Sequence, residues 1–187
     1  MKQLILGSIL TFVLLLPVKL FSQQKANQQF KEEFLDRINR TREQGCNCGT
    51  TYMRPVAPLV WNDQLESAAL GHARDMAKHK YFSHTSRNGR TAAERVMAAG
   101  YGYKGYKSYT IGENIAVGQQ SIAEVMTGWF KSEEHCKNLM NPDFKEVGVA
   151  QYNNYWVQDF GGREAFSAEQ QRLINSGKAR IIQKRVP

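Results

Sequence analysis

Three side chains that could bind a metal or move a proton lie far apart in the sequence. His84 lies in "YFSHTSRNG", His135 in "SEEHC", and Glu113 in "IGENIAVG", between Gly112 and Asn114. Each histidine stands among small polar residues in or just after a predicted helix, where functional side chains are commonly presented. Two imidazoles and one carboxylate suit either a zinc-like ion with an open coordination position or an acid–base pair. The spacing alone does not bring the three residues together.

The adjacent residues His135 and Cys136 have the types found in a cysteine hydrolase. Neighbouring side chains on a helix diverge by about 100°, so His135 is badly placed to activate Cys136. His84 could in principle act as the base, but a disulfide would consume the thiol. We therefore disfavour a cysteine nucleophile.

A second group of histidines lies on a predicted helix. His72, Asp75 and His79 share one face, because residues three and four positions apart are neighbours on a helix. The two histidines are nevertheless about 10 Å apart along the axis, too far to hold one ion. We expect a hydrogen-bonded His72 in the core and a solvated His79.

The cysteines Cys46, Cys48 and Cys136 indicate one disulfide and one free thiol in an exported chain. Cys46 and Cys48 are too close in sequence to bond to each other without strain. Cys136 is therefore expected to pair with one of them, and the sequence leaves the choice open. Either bond would close a loop of roughly 90 residues, for which the chain-entropy model predicts about 4 kcal/mol of stabilisation.

Residues 1–22 have the features of a secretory signal peptide. Lys2 supplies the positive start, "LILGSILTFVLLL" the apolar run, and Ser22 a small residue at the cleavage point. The run is shorter than the roughly 20 residues that span a bilayer. We expect no transmembrane segment in the mature chain and a secreted or periplasmic location. An uncleaved anchor is the alternative.

The positive charge is concentrated at the C-terminal end. The formal net charge is +8, and removal of Lys2 and Lys19 with the signal leaves +6. Residues 163–187 hold six basic and two acidic residues, so this tail carries +4 of the +6. This distribution argues against a nucleic-acid-binding face. We expect a monomer with one domain, residues 27–162, followed by the basic tail, which is either helical or disordered.

Apolar periodicity and capping residues predict the elements that would position the candidate residues. The predicted helices are 27–44, 63–79, a short one in "TAAERVMAAG", 122–131, and a final turn capped by Ser132. Asn62 is the predicted cap of the second helix, the pairs Thr91–Glu94 and Ser121–Glu124 are the predicted capping boxes of the third and fourth, and Gly100 is the predicted left-handed stop of the third. The predicted apolar stripes are Phe30, Phe34 and Ile38 on the first helix, Leu65, Ala69, His72 and Met76 on the second, and Ile122, Val125 and Trp129 on the fourth. Strands follow in "KEVGVAQY" and "YWVQDF", with a tight turn at Asn153-Asn154. Periodicity does not decide whether "LVW" and "TIGENIAVG" are strands. The order predicts an α+β protein with helices packed on a small antiparallel sheet.

Four ordered stretches carry a resemblance to a known family: "HARDMAKHKYFSHTS", "GENIAVG", "GWFKSEEHCKNLMNPDFKEVGVA" and "YWVQDFG". They resemble the bacterial branch of the CAP superfamily of cysteine-rich secretory, antigen 5 and pathogenesis-related 1 proteins, also called the SCP domain. The resemblance covers about Phe30 to Gly162. It implies a three-layer α–β–α sandwich with a cleft lined by two histidines and two glutamates. In several members the histidines hold a divalent cation, often zinc.

By motif, His84, Glu113 and His135 take three of the four cleft positions, which makes them the predicted ligands of a divalent cation, zinc first. The fourth position is a glutamate in animal and plant members. Here it is Ser132, as is common in bacterial relatives. The change removes a paired-carboxylate mechanism unless one of the two following glutamates turns inward. Adjacent carboxylates at a helix start more often face solvent.

Two hypotheses for the function follow. A non-enzymatic binding module would hold an ion and an extracellular ligand, which could be a small molecule, a lipid or a cell-wall polymer. A metal-assisted hydrolase would hold zinc on His84 and His135, use Glu113 as ligand or base, and act on wall peptide or glycan. We favour the binding module because no nucleophile is identifiable, the acid–base set is depleted, and a fold does not fix a reaction. No catalytic residue is assigned.

Overall fold

A four-stranded sheet lies between two layers of helices in the computed structural model, which describes residues 10–102 and 104–181. The elements in chain order are α1 (Leu10–Gln44), β1 (Cys46–Cys48), β2 (Thr51–Met53), β3 (Val60–Trp61), α2 (Asp63–His79), α3 (Ala92–Ala98), β4 (Tyr106–Val117), α4 (Ile122–Lys131), α5 (Glu133–Leu139), β5 (Glu146–Tyr152), β6 (Tyr155–Ala165) and α6 (Ala168–Asn175). This arrangement confirms the predicted α+β class and three-layer sandwich.

The strand order in the main sheet is β3–β5–β6–β4. β3 runs parallel to β5, whereas the β5–β6 and β6–β4 pairs are antiparallel. The stretches "LVW" and "TIGENIAVG" therefore both contribute strands, and the sheet has one parallel pair at its edge. The predicted hairpin is confirmed: Asn153 and Asn154 have φ of 47° and 63°, the left-handed pair that a two-residue type I′ turn requires.

One face of the sheet packs on α2 and α3. Ile115 of β4 and Val157 of β6 lie against Met76 of α2, within the stripe predicted for that helix. Gly148 of β5 faces the same helix, and a Cβ at this position would lie 2.0 Å from the backbone nitrogen of Glu66. The absence of a side chain at Gly148 therefore lets α2 approach the sheet closely.

The opposite face packs on α1, α4 and α5. Val149 and Phe160 of the sheet share one buried cluster with Phe34 of α1, Trp129 of α4 and Leu139 of α5. Side chains alternate between the faces of a strand, so each strand serves both halves of the core. The α1 and α4 residues belong to the apolar stripes predicted for those helices.

The starts of α2 and α3 agree with the predicted caps. The side chain of Asn62 accepts hydrogen bonds from the N–H groups of the second and third residues of α2. Thr91 and Glu94 form the reciprocal capping box of α3. Gly100 follows this helix with φ of +95°, as expected for a left-handed stop.

The starts of α4 and α5 differ in detail from the prediction. Ser121 caps the N–H of Glu124, but the Glu124 carboxylate accepts from the N–H of Gln120, so the predicted reciprocal box is displaced by one residue. Ser132 holds the N-cap position of α5, yet its side chain makes no capping hydrogen bond. Backbone geometry therefore separates α4 from α5.

The first helix is longer than predicted. α1 begins at Leu10, not at residue 27, and runs without a break past Ser22, the predicted cleavage point. It ends at Gln44, as predicted, where Gly45 has φ of +75°. Residues 1–9 of the predicted signal lie outside the described part. In residues 10–102 and 104–181, no helix combines the length and the apolarity needed to cross a membrane.

Two further features differ from the prediction: an additional hairpin and a longer last strand. β1 and β2 form a separate hairpin, which the sequence patterns did not indicate, with Gly49 at φ of +58° in its turn. β6 continues to Ala165, three residues into the predicted tail, because it pairs with the start of β4. The short helix α6 follows with its own capping box, and residues 182–187 of the tail lie outside the described part.

Candidate functional site

Glu113 is the centre of the candidate site. It lies on β4 with only 3% of its side chain exposed, and its Oε1 lies 2.7 Å from Nδ1 of His84. A carboxylate only accepts hydrogen bonds, so Nδ1 carries a proton, and whenever the ring is neutral the lone pair is on Nε2. The His84 side chain is 58% exposed. The buried carboxylate therefore fixes an imidazole whose free nitrogen is available at the surface.

Arg95 of α3 holds the other side of this carboxylate. Its Nη2 donates to Oε2 of Glu113, and the guanidinium is almost fully buried. Its Nη1 donates to the carbonyls of His84 and Arg90 at 2.9 and 3.0 Å and to the Ser86 hydroxyl at 3.1 Å. One guanidinium thus ties the segment that carries His84 to the carboxylate that orients it. The sequence reasoning missed Arg95, which stands beside the capping residue Glu94 in a stretch that reads as a solvent-exposed helix start.

A chain of amides fastens α5 to β4 beside Glu113. Asn138 donates to the Glu113 carbonyl at 3.3 Å and to the Asn114 side-chain oxygen at 3.0 Å. Asn114 donates in turn to the His135 carbonyl and to Gln158, both at 3.2 Å. Asn114 and Gln158 are fully buried. This network fixes the helix that carries His135 relative to the strand that carries Glu113.

His135 lies within electrostatic reach of His84. Burial lowers the pKa of His135, and the charge of His84 lowers that pKa further. Both effects favour a neutral imidazole at neutral pH, which is the form that binds metals. The structure therefore joins His84 to Glu113 directly, whereas His135 is linked to His84 only through the electrostatic effect of His84 on its pKa.

The side chains of the site include groups that suit the predicted cation. Two neutral imidazoles are suitable ligands for zinc, and Glu113 gives His84 the carboxylate support typical of such ligands. Both Glu113 oxygens already accept hydrogen bonds from His84 and Arg95. Among the described residues, only the three cysteine sulfurs gather three potential ligand atoms within 4.8 Å. The predicted ligands His84, Glu113 and His135 thus do not gather as one three-ligand set among the described residues, because Glu113 supports His84 from behind, and the two imidazoles are the side chains whose chemistry suits a cation.

The position of the lost glutamate offers no replacement acid. Ser132 is the junction between α4 and α5, three residues before His135. The side chains of Glu133 and Glu134 are 44% and 84% exposed, and both pair with Lys137 at 2.8 and 3.1 Å. The two neighbouring glutamates thus face solvent, as predicted.

Asp159 is a buried carboxyl that the sequence reasoning missed. It lies directly opposite Glu113 in the β4–β6 pair and has no solvent exposure. Neither of its oxygens has a hydrogen-bond partner among the described residues. Burial raises the pKa of Asp159 well above its usual value, and the nearby Glu113 raises that pKa further while Arg95 opposes the shift. The pattern of "YWVQDF" predicted a strand, and its one acidic residue was not considered. That acidic residue in an otherwise uncharged stretch was the signal that could have indicated a buried carboxyl.

The histidines of α2 behave as predicted. His72 is buried, with Nε2 at 2.9 Å from the Ser83 carbonyl and Nδ1 at 3.4 Å from the Ser86 hydroxyl. Burial lowers the pKa of His72. His79 is exposed and pairs with Asp75 at 2.9 Å. A cavity of about 340 Å³ between α2 and α3 is lined by all three α2 residues and by Arg95.

The structure selects one of the two predicted disulfides. Cys48 and Cys136 are bonded, with their Cα atoms 5.4 Å apart and a sequence separation of 88. Cys46 is the free thiol, and burial raises its pKa. The bond joins the β1–β2 hairpin to α5.

Comparison with known proteins agrees with this architecture. A sequence model of the cysteine-rich secretory protein family, CAP, matches residues 35–160. The chain belongs to the CAP family. This match confirms the resemblance based on the four sequence motifs and includes His84, Glu113 and His135.

Bacterial relatives of this CAP protein include two from Bacillus subtilis strain 168. The uncharacterized protein YkwD is 35% identical over 110 residues, which are 58% of this chain and 41% of the relative. The uncharacterized membrane protein YlbC is 31% identical over 105 residues, 56% of this chain and 29% of the relative. The matched region thus spans less than half of either relative.

Solved structures share the CAP fold. An extracellular SCP-domain protein from Bacillus anthracis strain Ames superposes with a TM-score of 0.59 at 30% identity, over 70% of this chain and 39% of that one. An outer surface protein of Borrelia burgdorferi gives a TM-score of 0.55 at 20% identity, over 75% and 94% of the two chains. The second likeness concerns the fold alone.

Proposed function

We propose that this CAP protein is an exported binding module whose cleft holds a divalent cation on His84 and His135. Zinc is the preferred candidate for this cation. The cation would help to bind an extracellular ligand, which could be a small molecule, a lipid or a cell-wall polymer. The observation that carries the proposal is the hydrogen bond of 2.7 Å between His84 Nδ1 and the buried Glu113 carboxylate. This bond fixes the orientation of the partly exposed His84 imidazole, whose charge acts on the pKa of His135.

The contacts of Glu113 favour binding over hydrolysis. A metal-assisted hydrolase needs a carboxylate free to take a proton from bound water. The Glu113 carboxylate instead serves His84 and the buried guanidinium of Arg95. Asp159, the nearest further acid across the sheet, is fully buried and cannot reach a substrate.

Export is supported by two observations. Residues 1–22 have the charge and apolar run of a signal peptide. The structural neighbour from Bacillus anthracis is described as extracellular. Peptide mapping of the protein from the medium or periplasm tests the proposal: an N-terminus near Gln23 is expected, and an intact N-terminus at Met1 in the cytoplasm would contradict it.

Cation binding is tested on untagged protein purified without chelator. We expect metal analysis and calorimetry to find zinc binding that is lost in His84→Ala and His135→Ala. Glu113→Gln should weaken binding by about 10- to 100-fold, the usual effect of losing a carboxylate behind a metal-ligating histidine. Binding should also weaken as the pH falls, because a protonated imidazole cannot coordinate a metal, and the lowered pKa of His135 places the loss of that ligand below the ordinary imidazole value of about 6.5.

His79→Ala is the matched control, since His79 is exposed on α2, pairs with Asp75 and is not one of the proposed ligands. It should leave zinc binding unchanged. Equal zinc affinity in the folded wild-type and double His84→Ala, His135→Ala proteins would refute the cation site. Release of soluble fragments from purified peptidoglycan by wild type, abolished in the same variant, would replace the binding module by a hydrolase.

A further inference from the structure

Three sulfur atoms meet where the β1–β2 hairpin packs on α5. The sulfurs of Cys46, Cys48 and Cys136 all lie within 4.8 Å of one another. Cys46 and Cys48 are two positions apart on β1, so their side chains point to the same face of the strand. Cys136 of α5 faces both of them. The free Cys46 sulfur lies 3.8 Å from the Cys136 sulfur, which is already bonded to Cys48.

The three sulfurs differ in their access to solvent. Cys48 and Cys136 are both 0% exposed, so a dissolved thiol cannot reach their bond directly. Cys46 is partly exposed and lines an open groove of about 710 Å³ between α1 and α4. Met126 and Phe130 of α4 also line this groove, and charged residues of α1 line its rim. The groove thus leads to the thiol next to the buried disulfide.

We propose that the three cysteines form a thiol–disulfide exchange site. Cys46 exchanges with the buried Cys48–Cys136 bond and so makes that bond reactive toward low-molecular-weight thiols in the groove. Disulfide exchange proceeds by attack of a thiolate on one sulfur of a disulfide, and access to that sulfur limits the rate. Cys46 is in contact distance of the sulfur that it must attack. It is also the one member of the trio that external thiols can reach.

The exchange is balanced in three steps. The Cys46 thiolate attacks the Cys136 sulfur, a Cys46–Cys136 bond forms, and Cys48 leaves as a thiolate that takes up a proton. An external thiolate then attacks the Cys46 sulfur in the groove, which forms a mixed disulfide on Cys46 and releases Cys136. A second external thiolate attacks the external sulfur of that mixed disulfide, an external disulfide forms, and Cys46 leaves as a thiolate, as Cys136 did in the step before. The net change oxidises two external thiols and reduces one protein disulfide.

The first experiment measures reduction of the folded protein by dithiothreitol. Samples are quenched by alkylation at intervals, and the Cys48–Cys136 bond is followed by mass spectrometry. We expect the wild-type disulfide to be reduced at least about tenfold faster than that of Cys46→Ser, because the variant lacks the accessible relay sulfur. In concentrated guanidinium the two proteins should be reduced at equal rates, since unfolding exposes every sulfur.

A second variant tests the alternative bond itself. In Cys48→Ser, purified without reductant, we expect non-reduced peptide mapping to find Cys46 bonded to Cys136. Cys46→Ala should reproduce the slow native reduction of Cys46→Ser, with a thermal midpoint like that of wild type. Equal native reduction rates in wild type and Cys46→Ser, or two free thiols in folded Cys48→Ser, would overturn the proposal.

Discussion

Arg95 links two parts of the candidate site through one buried guanidinium. It neutralises the Glu113 carboxylate and holds the backbone of the segment that carries His84. Burial of an ion pair does not by itself stabilise a fold, but removal of one partner leaves the other charge without compensation. Arg95 should therefore matter both for stability and for the orientation of His84.

We predict that Arg95→Met lowers the free energy of unfolding by about 3–5 kcal/mol, because Glu113 would remain buried without its cationic partner. Urea unfolding followed by circular dichroism measures the change. The double variant with Glu113→Gln should recover part of the loss, since it removes the stranded charge. Strictly additive effects of the two substitutions would show that the pair is not coupled.

Asp159 gives a pH-dependent prediction. Its pKa is raised in the folded protein, so the folded state binds the proton more tightly than the unfolded state, whose carboxyl has a pKa near 3.9. The contribution to stability is full below about pH 4 and is lost as pH rises through the raised pKa. Asp159→Asn, which stays neutral, should therefore raise the melting temperature at pH 7 and have little effect at pH 4.

Thermal unfolding of wild type and variant between about pH 3.5 and 8, a range that brackets the unfolded carboxyl pKa, checks this expectation. Asp143→Asn is the control, because Asp143 is exposed in the turn before β5. A melting temperature of Asp159→Asn that is lower than that of wild type at pH 7 would mean that the Asp159 carboxylate is charged and favourably paired.

At the scale of elements, local sequence signals predicted the ends of helices and the hairpin turn. Pairing between strands that are distant in sequence determined which other segments became strands. Asn62 and Thr91 fix helix starts through hydrogen bonds within three residues, and Asn153-Asn154 fix a turn through their own backbone angles. Such contacts can be inferred from a short stretch of sequence. The strand β4 exists because β6 lies beside it, and no short pattern reveals that partner.

The same distinction explains which site residues were predicted. His84, Glu113 and His135 were identified from motifs and residue chemistry. Arg95 and Asp159 were missed because their burial depends on α3 and β6 packing beside β4. A charged residue in an ordinary local context carries no sign of its burial.

The contact between α2 and the sheet supplies a prediction at this scale. In Gly148→Ala the new methyl group would overlap the backbone of α2 at Glu66, which cannot rotate away as a side chain could. We expect a loss of at least about 1–3 kcal/mol in unfolding free energy, the usual cost of overpacking. Chemical denaturation measures it.

Gly128→Ala on α4 is the matched control. A Cβ at Gly128 meets no atom within 4 Å, and the residue lies inside a helix. The same substitution should therefore stabilise the protein by about 0.5–1 kcal/mol through helix propensity. A neutral or stabilising Gly148→Ala would show that α2 can move away from β5 at little cost.

At the scale of the whole molecule, the disulfide ties the first third of the chain to the α5 layer. The Cys48–Cys136 bond closes a loop with a sequence separation of 88. The loop contains α2, α3, β4 and α4, and hence both His84 and Glu113. Cross-linking over this length restricts the unfolded chain strongly.

Cys136→Ser is expected to lower the free energy of unfolding by about 4 kcal/mol, because it removes the bond and leaves Cys48 without its partner. Guanidinium unfolding without reductant measures the change. Cys46→Ser serves as the control and should leave stability nearly unchanged, since the Cys48–Cys136 bond remains. A Cys136→Ser protein as stable as wild type would indicate that the hairpin is held by packing alone.

The position of this bond also has a mechanical consequence. A pull applied between the two ends of the molecule would pass from α1 through the sulfur bridge into α5, and would bypass the chain between the bonded cysteines, whose sequence separation is 88. At about 3.5 Å per extended residue, the bridge withholds roughly 300 Å of chain from stretching. The strand and loop that carry Glu113 and His84 lie within the withheld length. A protein held at one end on a cell surface would thus keep its cleft residues out of the line of tension until the bridge is reduced.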